Sequence, residues 1–487
     1  MRRYLLGAVA AVAVMAGGAQ AAELSQADRT QILSTVDKGA PRLAQVAQEI
    51  WGYAEVGYQE HKSSALLQSE LKKAGFKVEP GVAGMPTAFV ASFKTGEGPV
   101  LAILAEYDAL PGLAQAAEPT RKPVAGVAGH ACGHHVFGAA SVQAAIALSQ
   151  WMKANGVKGE VRVFGTPAEE GGSGKVYMVR AGLFQDVDAT LHWHAGDAND
   201  ASQGVSLANI SGKFRFTGAS AHASAAPWRG RSALDGVEVM NAAVNMMREH
   251  VPDGTRIHYV VTDGGSAPNV VPEKAEVYYY VRHRDPQVVR DVTARLQKAA
   301  EGAALATETK VAFEQTGGVY NMLPNETLAK VMDQNLRQVG GVVWNAQERA
   351  FAEAMAKQLP ANNAKLESAA EIQPLRIGGD GGGSTDVADV SWVTPTVGMR
   401  AATWVPGTPA HSWQAVAAGG TSMAAKGGVV AAKTLALTGA ALFREPSLIE
   451  TAKAELEKKR GPGFTYKAMV GDRAPPLDYR AKAGAEE

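Results

Sequence analysis

Four short stretches of the chain hold side chains whose types and spacing suit chemistry. The first is Gly129-His130-Ala131-Cys132-Gly133-His134-His135. Cys132 and His134, two apart on a glycine-broken loop, offer a thiolate and an imidazole. Both suit a borderline-soft divalent ion such as zinc, and the imidazole also suits manganese. Gly133 permits the turn that aims both donors at one point. The second stretch, Gly165-Thr166-Pro167-Ala168-Glu169-Glu170-Gly171-Gly172, carries adjacent carboxylates that repel each other and need a neutralising cation beside apolar strands. With a metal there, one acid ligates and the other serves as general base on an activated water. The third is His192-Trp193-His194, where positions i and i+2 share a strand face and can approach one ion together. The fourth, Pro409-Ala410-His411-Ser412-Trp413, lies far along the chain.

Any one of these histidines alone reads most simply as a packed or solvated side chain. The set argues otherwise, because five of the eleven histidines fall between positions 130 and 194, in the company of the acids and the sole cysteine, Cys132. Three of the four stretches also follow predicted strands, and open parallel sheets place their sites in the loops beyond the carboxyl ends of strands.

The elements that must position these loops can be read from periodicity. Ala65, Leu66 and Leu71 predict a helix over 60–74, stopped by Gly75. Strands are expected at 87–93, 99–105, 160–165 and 189–193, the second a continuous apolar run suited to a sheet covered on both faces. An Ala-rich helix follows the histidine cluster over 136–154. The same style returns with a strand at 393–400 and a helix at 423–439. Alternation of this kind predicts an α/β domain with a largely parallel sheet.

Between 204 and 320 the pattern changes to a strand at 213–217, a helix at 231–250, strands at 256–262 and 275–282, a helix bearing Val289, Val292, Leu296, Ala299 and Ala303, and a strand near 311–314. The order β-α-β-β-α-β is the ferredoxin-like split unit, here an inserted α+β domain. The expected division is a catalytic domain over 22–203 and 321–444, a lid domain over 204–320, and a tail over 445–487. That tail is polar and contains Pro462, Pro475 and Pro476, so it should wrap the surface or lack order.

With 487 residues, 46% of them hydrophobic, the chain is neither a disulfide mini-protein nor a disordered one, and it has length for two or three domains. Forty-eight basic against 48 acidic side chains give no electrostatic footprint for nucleic acid. Arg2 and Arg3, the apolar run 5–15 and Ala19-Gln20-Ala21 make residues 1–21 a secretory signal peptide. The run is shorter than the ~20 residues a membrane span needs, and no cysteine follows the cleavage point to carry a lipid anchor. The mature chain is therefore expected to be exported, to the periplasm if the cell is Gram-negative. Its one cysteine has no disulfide partner.

Taken in order, Cys-Gly-His, Thr-Pro-Ala-Glu-Glu-Gly, Trp-His and Ala-His-Ser-Trp-Gln resemble the aminoacylase and glutamate-carboxypeptidase family of dinuclear metallohydrolases. Ala105-Glu106-Tyr107-Asp108-Ala109-Leu110-Pro111-Gly112 and Gly383-Ser384-Thr385-Asp386-Val387 bring the likeness nearest to its amidohydrolases of the aminobenzoyl-glutamate utilisation protein B type. The resemblance runs from about 40 to 440. It implies two divalent ions, Mn²⁺ or Zn²⁺, held by Cys132, His134, Glu170, His194 and His411, with Cys132 bridging the pair. It implies Glu169 as general base and acid, and Asp108 as an orienting acid beside the metals. It makes the inserted domain a lid and dimerisation module.

Ser220-Ala221-His222-Ala223 and Ala267-Pro268-Asn269-Val270-Val271-Pro272 match the family's lid motifs. His222 would help hold the tetrahedral oxyanion, often in the partner's site, and Asn269 would help bind substrate. His192 falls off the ligand positions and is assigned to the core or to a supporting role. His135 departs from the Asp or Asn of many relatives, and it is expected either to donate to a carboxylate or to titrate near neutral pH. The function implied is hydrolysis of the amide bond of N-acyl amino acids, aminobenzoyl-glutamate first. The alternatives are a metallo-dipeptidase or carboxypeptidase on short peptides, and an exported metal- or ligand-binding protein without turnover. Glu169, a spare base beside the ligands, argues against the last. A homodimer, or pairing with a related subunit, is implied.

Overall fold

The computed structural model describes residues 24–360, 364–380 and 383–480, so the expected signal peptide lies outside the described residues. The first half sets out helices α1 (Gln26–Tyr53) and α2 (His61–Lys73), strands β1 (Lys77–Pro80), β2 (Phe89–Lys94) and β3 (Val100–Ala105), helix α3 (His134–Ala154), and strands β4 (Glu160–Gly165) and β5 (Ala189–Leu191). A second unit follows, with strand β6 (Ala208–Thr217), helix α4 (Ala233–Met247), strands β7 (Arg256–Asp263) and β8 (Lys274–His283), helix α5 (Pro286–Ala306) and strand β9 (Lys310–Val319). The chain then returns to the first unit through helix α6 (Glu326–Val339), strand β10 (Thr396–Val397) and helices α7 (Ser422–Arg444) and α8 (Pro446–Arg460).

The first unit is built on a six-stranded sheet of order β1-β2-β4-β3-β5-β10. Strands β4, β3, β5 and β10 run parallel, while β2 and β1 are antiparallel additions at one edge. Strand β3 is buried from Leu101 to Ala105, as a central strand covered on both faces must be. Helix α3 is buried almost all round, and its many alanines let α1 and α7 approach it closely. The parallel strands therefore end in one row, and the loops after β3, β4 and β5 open on the same side.

The second unit is an antiparallel sheet of order β7-β8-β6-β9 covered by α4 and α5. Its separate core contains Phe214, Phe216, Val277, Tyr279, Val289 and Leu296. Helix α5 starts where the sequence provides both signals, with the Asp285 side chain accepting from the Gln287 amide and Pro286 in the first turn. The element order is the split β-α-β-β-α-β expected from the sequence. Strands β6 and β9 are longer than expected because their glycine-bearing ends pair with each other, Asn209 opposite Val319 and Ile210 opposite Gly318.

Two expected strands are broken. The stretch 189–193 ends at Leu191, and a separate strand His194–Gly196 pairs with Arg400–Ala402. Main-chain bonds from His192 N to Val397 O (2.9 Å) and from His194 N to Met399 O (2.7 Å) carry the pairing across the break. The His192 ring lies against Gly398, where any Cβ would collide with it.

The tail also differs from expectation. Helix α8 forms because Leu448, Ile449, Ala452 and Leu456 make a buried stripe behind Pro446 at the first turn. Among the described residues no helix is long and apolar enough to cross a membrane.

Candidate metal centre

The donors converge where the parallel strands end. Gly133, left-handed at φ 77°, caps α3 from outside, and a Cβ there would strike the Ala195 side chain. It is thus the glycine that lets Cys132 and His134 meet the loop of His194. Cys132 Sγ lies 3.4 Å from His194 Nε2. His194 Nδ1 donates to the Ala195 carbonyl at 2.7 Å, which leaves Nε2 with its lone pair toward the cluster. His134 Nδ1 is 2.8 Å from Asp108 Oδ1, so its Nε2 is likewise presented inward. His411, at φ 57°, brings Nε2 to 3.2 Å from Glu170 Oε1.

Three sets of donor atoms close to within 4.8 Å of one another: Cys132–His134–His194, Cys132–Glu170–His411, and His134–Glu169–Glu170. Every residue expected as a ligand is in at least one set, and Cys132 is common to the first two. The buried polar atoms fit a cation. Glu106 Oε2 and His134 Nε2, 3.0 Å apart, and Glu170 Oε1, 3.2 Å from His411 Nε2, are all shielded from solvent and make no well-aligned hydrogen bond, so donor atoms crowd together with lone pairs that a cation would satisfy.

The charges around the cluster explain its protonation. Burial opposes a charged His134, but Asp108, Cys132 and Glu106 outweigh it and raise the imidazole's pKa. Burial also raises Asp108, yet the charge and hydrogen bond of His134 prevail and hold its carboxyl at about 2. Burial, and then repulsion from Glu106, Glu170 and Asp386, pushes Glu169 well above the usual carboxylate range. A carboxyl so placed has the affinity for a proton that a general base requires.

Several supporting residues carried no assignment from sequence. Glu60 is fully buried, and its carboxylate accepts from Thr87 Oγ1 (2.9 Å) and from the amide of Ala168 (2.9 Å). This holds Ala168 in the left-handed region at φ 57°, immediately before Glu169. Lys175 Nζ sits 2.7 Å from both Glu106 Oε1 and Asp386 Oδ1, with all three side chains buried. Glu106 and Asp386 stand in motifs that the sequence singled out, whereas Lys175 follows a glycine-serine run that gave no signal.

His135 turns away from the cluster. Its Nε2 donates to the Gly419 carbonyl at 2.9 Å, and burial lowers its pKa to about 4, so it neither donates to a carboxylate nor titrates near neutrality. His192 is half-buried beside the cleft but joins no donor set. His222 and Asn269 do not reach the centre of their own chain. Both are exposed on the lid, where the Ala223 amide donates to the Asn269 carbonyl at 2.9 Å and His222 bridges to Val270.

A cleft of about 1390 Å³ lies over the cluster, walled by the catalytic unit on one side and by β6, β8 and β9 of the lid on the other. A parallel-sheet domain with paired acids beside Cys and His donors, interrupted by an α+β lid, has the parts of a metal-dependent hydrolase.

Known proteins agree. Residues 208–308 match the peptidase dimerisation domain. The chain is 40% identical over 451 residues to one of the two p-aminobenzoyl-glutamate hydrolase subunits of Escherichia coli, covering 86% of this chain and 93% of that protein. It is 30% identical over 458 residues to the Xaa-Arg dipeptidase of Mus musculus, covering 91% and 95%. It is also 27% identical over 358 residues to the other subunit of the Escherichia coli hydrolase, covering 63% and 81%. Among solved structures, a dinuclear metal-binding peptidase of Bacillus subtilis shares the fold with a TM-score of 0.57 at 18% identity, over 84% of this chain and 99% of that one. The chain belongs to the M20 family of metallopeptidases and amidohydrolases.

Proposed function

We propose that this hydrolase uses two divalent ions to cleave the amide bond of N-acyl amino acids, p-aminobenzoyl-glutamate first among them. The observation that carries the reading is the pair of donor sets sharing Cys132, with Glu169 beside them. Cys132, His134 and His194 would hold one ion, and Cys132, Glu170 and His411 the other. Divalent ions there supply Lewis acidity, polarising a carbonyl and bringing the pKa of a water toward about 7. Glu169 takes the water's proton on its carboxylate and returns it to the departing amine nitrogen. Asp108 keeps His134 in one tautomer and anchors the Glu170 amide. The soft thiol and three imidazoles favour Zn²⁺, with Mn²⁺ the alternative.

The substrate class is supported by the 40%-identical relative and by the cleft's charge. Beyond the acids of the centre, the lining holds more cations, among them Arg282, Arg376 and Arg400, than acids (Asp200, Glu314 and Asp478), and Arg480 stands beside the centre itself. Such a wall suits an anionic dicarboxylate and repels the cationic side chain of an Xaa-Arg dipeptide.

Pairing of two lids is supported by their surface. Edge strand β7 exposes Tyr259, Val260 and Val261, and α4 exposes Met246. In a homodimer joined there, or in a complex with a related subunit, His222 and Asn269 would serve the partner's cleft, with His222 holding the oxyanion. Export, to the periplasm in a Gram-negative cell, is supported by the leader-like pattern of residues 1–21.

The test is amine release by the mature chain, stripped with chelator and then given Zn²⁺ or Mn²⁺. The panel holds p-aminobenzoyl-glutamate, other N-acyl amino acids and dipeptides including Xaa-Arg. Metal-restored cleavage of the acyl amino acids is expected. Cleavage of dipeptides alone would favour the dipeptidase reading, and metal binding without any cleavage would overturn both.

A further inference from the structure

After α8 the described part of the tail crosses from the lid to the catalytic unit and reaches the cleft at Tyr479 and Arg480. Met469 is buried in the lid's core and Val470 in the catalytic core. Arg180 Nη1 donates to the carbonyls of Gly471 (2.6 Å) and Arg473 (2.8 Å), and Gln59 Nε2 to that of Leu477 (2.8 Å). The Arg473 guanidinium donates to the Thr316 carbonyl of β9. Tyr479 is wedged in place, its ring edge-on to Tyr58 at 5.7 Å and its hydroxyl donating to the Glu170 carbonyl at 2.9 Å. Gly57 has no side chain where the Tyr479 hydroxyl sits.

These contacts aim the next residue. The Arg480 guanidinium lies over the Tyr479 ring, 5.1 Å from its centroid, and its Nη2 is 3.8 Å from the point where a side chain on Gly171 would begin. It lines the cleft together with Glu170 and His411. Its Nη1 is shielded from solvent and has no hydrogen-bond partner among the described residues. On the lid wall of the cleft, Arg215 pairs with Glu276 and Glu314, and Lys213 with Glu276. A guanidinium held in place beside the metal donors with an unpaired, desolvated N–H is prepared for an anion, and its planar fork matches a carboxylate.

We propose that Arg480 binds the carboxylate adjacent to the scissile amide, so that the C-terminal strap sets specificity for the amino-acid half of the substrate. The inference rests on the amidohydrolase reading above. It selects the α-carboxylate because Arg480 stands next to the Glu169–Gly171 loop. In an N-acyl amino acid the α-carboxylate is one carbon from the reacting nitrogen, whereas a side-chain carboxylate extends further along the cleft.

The experiment compares the metal-loaded wild-type chain with R480A and R480K on p-aminobenzoyl-glutamate, its α-carboxamide and its γ-carboxamide. Metal content and thermal midpoint are measured alongside. For R480A, KM for p-aminobenzoyl-glutamate should rise, and the kcat/KM preference for it over the α-carboxamide should fall about 10–100-fold, the scale of a hydrogen bond to a charged group. R480K should recover part of that preference, and metal content should not change. Equal losses on the acid and its α-carboxamide would overturn the proposal, as would an unaltered preference or a loss confined to the γ-carboxamide comparison. An inert wild-type chain would sink the hydrolase reading and the inference with it. An active wild type whose R480A variant keeps the full preference for the acid over its α-carboxamide would sink the inference alone.

Discussion

Asp108 holds two parts of the centre at once: its Oδ1 is 2.8 Å from His134 Nδ1, and its Oδ2 accepts the Glu170 amide at 2.9 Å. One buried carboxylate therefore fixes the tautomer of one donor and the backbone of another. The fit of both donors to a cation depends on a residue that is not itself in a donor set.

Asp108→Asn keeps the volume but loses the charge, and its amide group turns an N–H toward one of two donors. Partners of metal-binding histidines typically contribute about 10–100-fold in affinity. The variant should lose metal to a competing chelator at correspondingly lower chelator concentration, with activity falling in step. Unchanged metal retention would remove Asp108 from this role.

Glu169→Gln separates proton transfer from metal binding. Glu169 sits with His134 and Glu170, but the other two donor sets are complete without it. The variant should retain its metal by elemental analysis and lose about 10²–10⁴-fold in kcat, the range of general-base catalysis. Near-normal turnover would reassign the base.

The centre was legible in the sequence because its residue types are scarce and its motifs short. A sole cysteine two residues from a histidine, and adjacent acids after a strand, stand out without any tertiary knowledge. Strand β4 was readable to its ends because its apolar run is bounded by charge and glycine. Helix α1 was not assigned, since Pro41 falls inside it and argues for a break, yet Ile32, Val36, Leu43, Val46 and Ile50 are buried along one stripe. Beyond Arg460 the tail gives no periodic signal either. Its order comes from partners distant in sequence, such as Tyr58, Arg180 and Thr316. The place of His222 and Asn269 is likewise unreadable from one chain if their work lies in a partner's cleft.

Lys175 offers a test of the buried charges beneath the centre. Burial opposes its charge, but Asp386 and Glu106 raise its pKa and keep it an ammonium. Lys175→Met would leave two buried carboxylates without their cation. Removing one partner of a buried ion pair costs about 3–5 kcal/mol. The urea midpoint of the metal-free chain should fall accordingly, and a midpoint within error of wild type would show that the carboxylates are neutral without it.

The Arg42–Glu70 fork, by contrast, should show in the acid limb of stability. Arg42 Nη2 and Nε donate to the two oxygens of Glu70 at 2.8 and 3.1 Å, tying α1 to α2. These bonds, against a smaller opposing effect of burial, bring the Glu70 carboxyl from its ordinary 4.5 to about 2. A pKa depressed by folding contributes stability that is complete above the unfolded value and is lost as pH falls through the folded one. The contribution is therefore present above about pH 4.5 and gone by about pH 2. Because the Arg42 side chain is 36% exposed, solvent screening reduces it to about 1 kcal/mol. Wild type and Glu70→Gln should differ by that amount in urea unfolding at about pH 6, and the two should converge as the pH is lowered toward about 2. A gap that persists at low pH would mean that the fork acts through packing of the side chains rather than through charge.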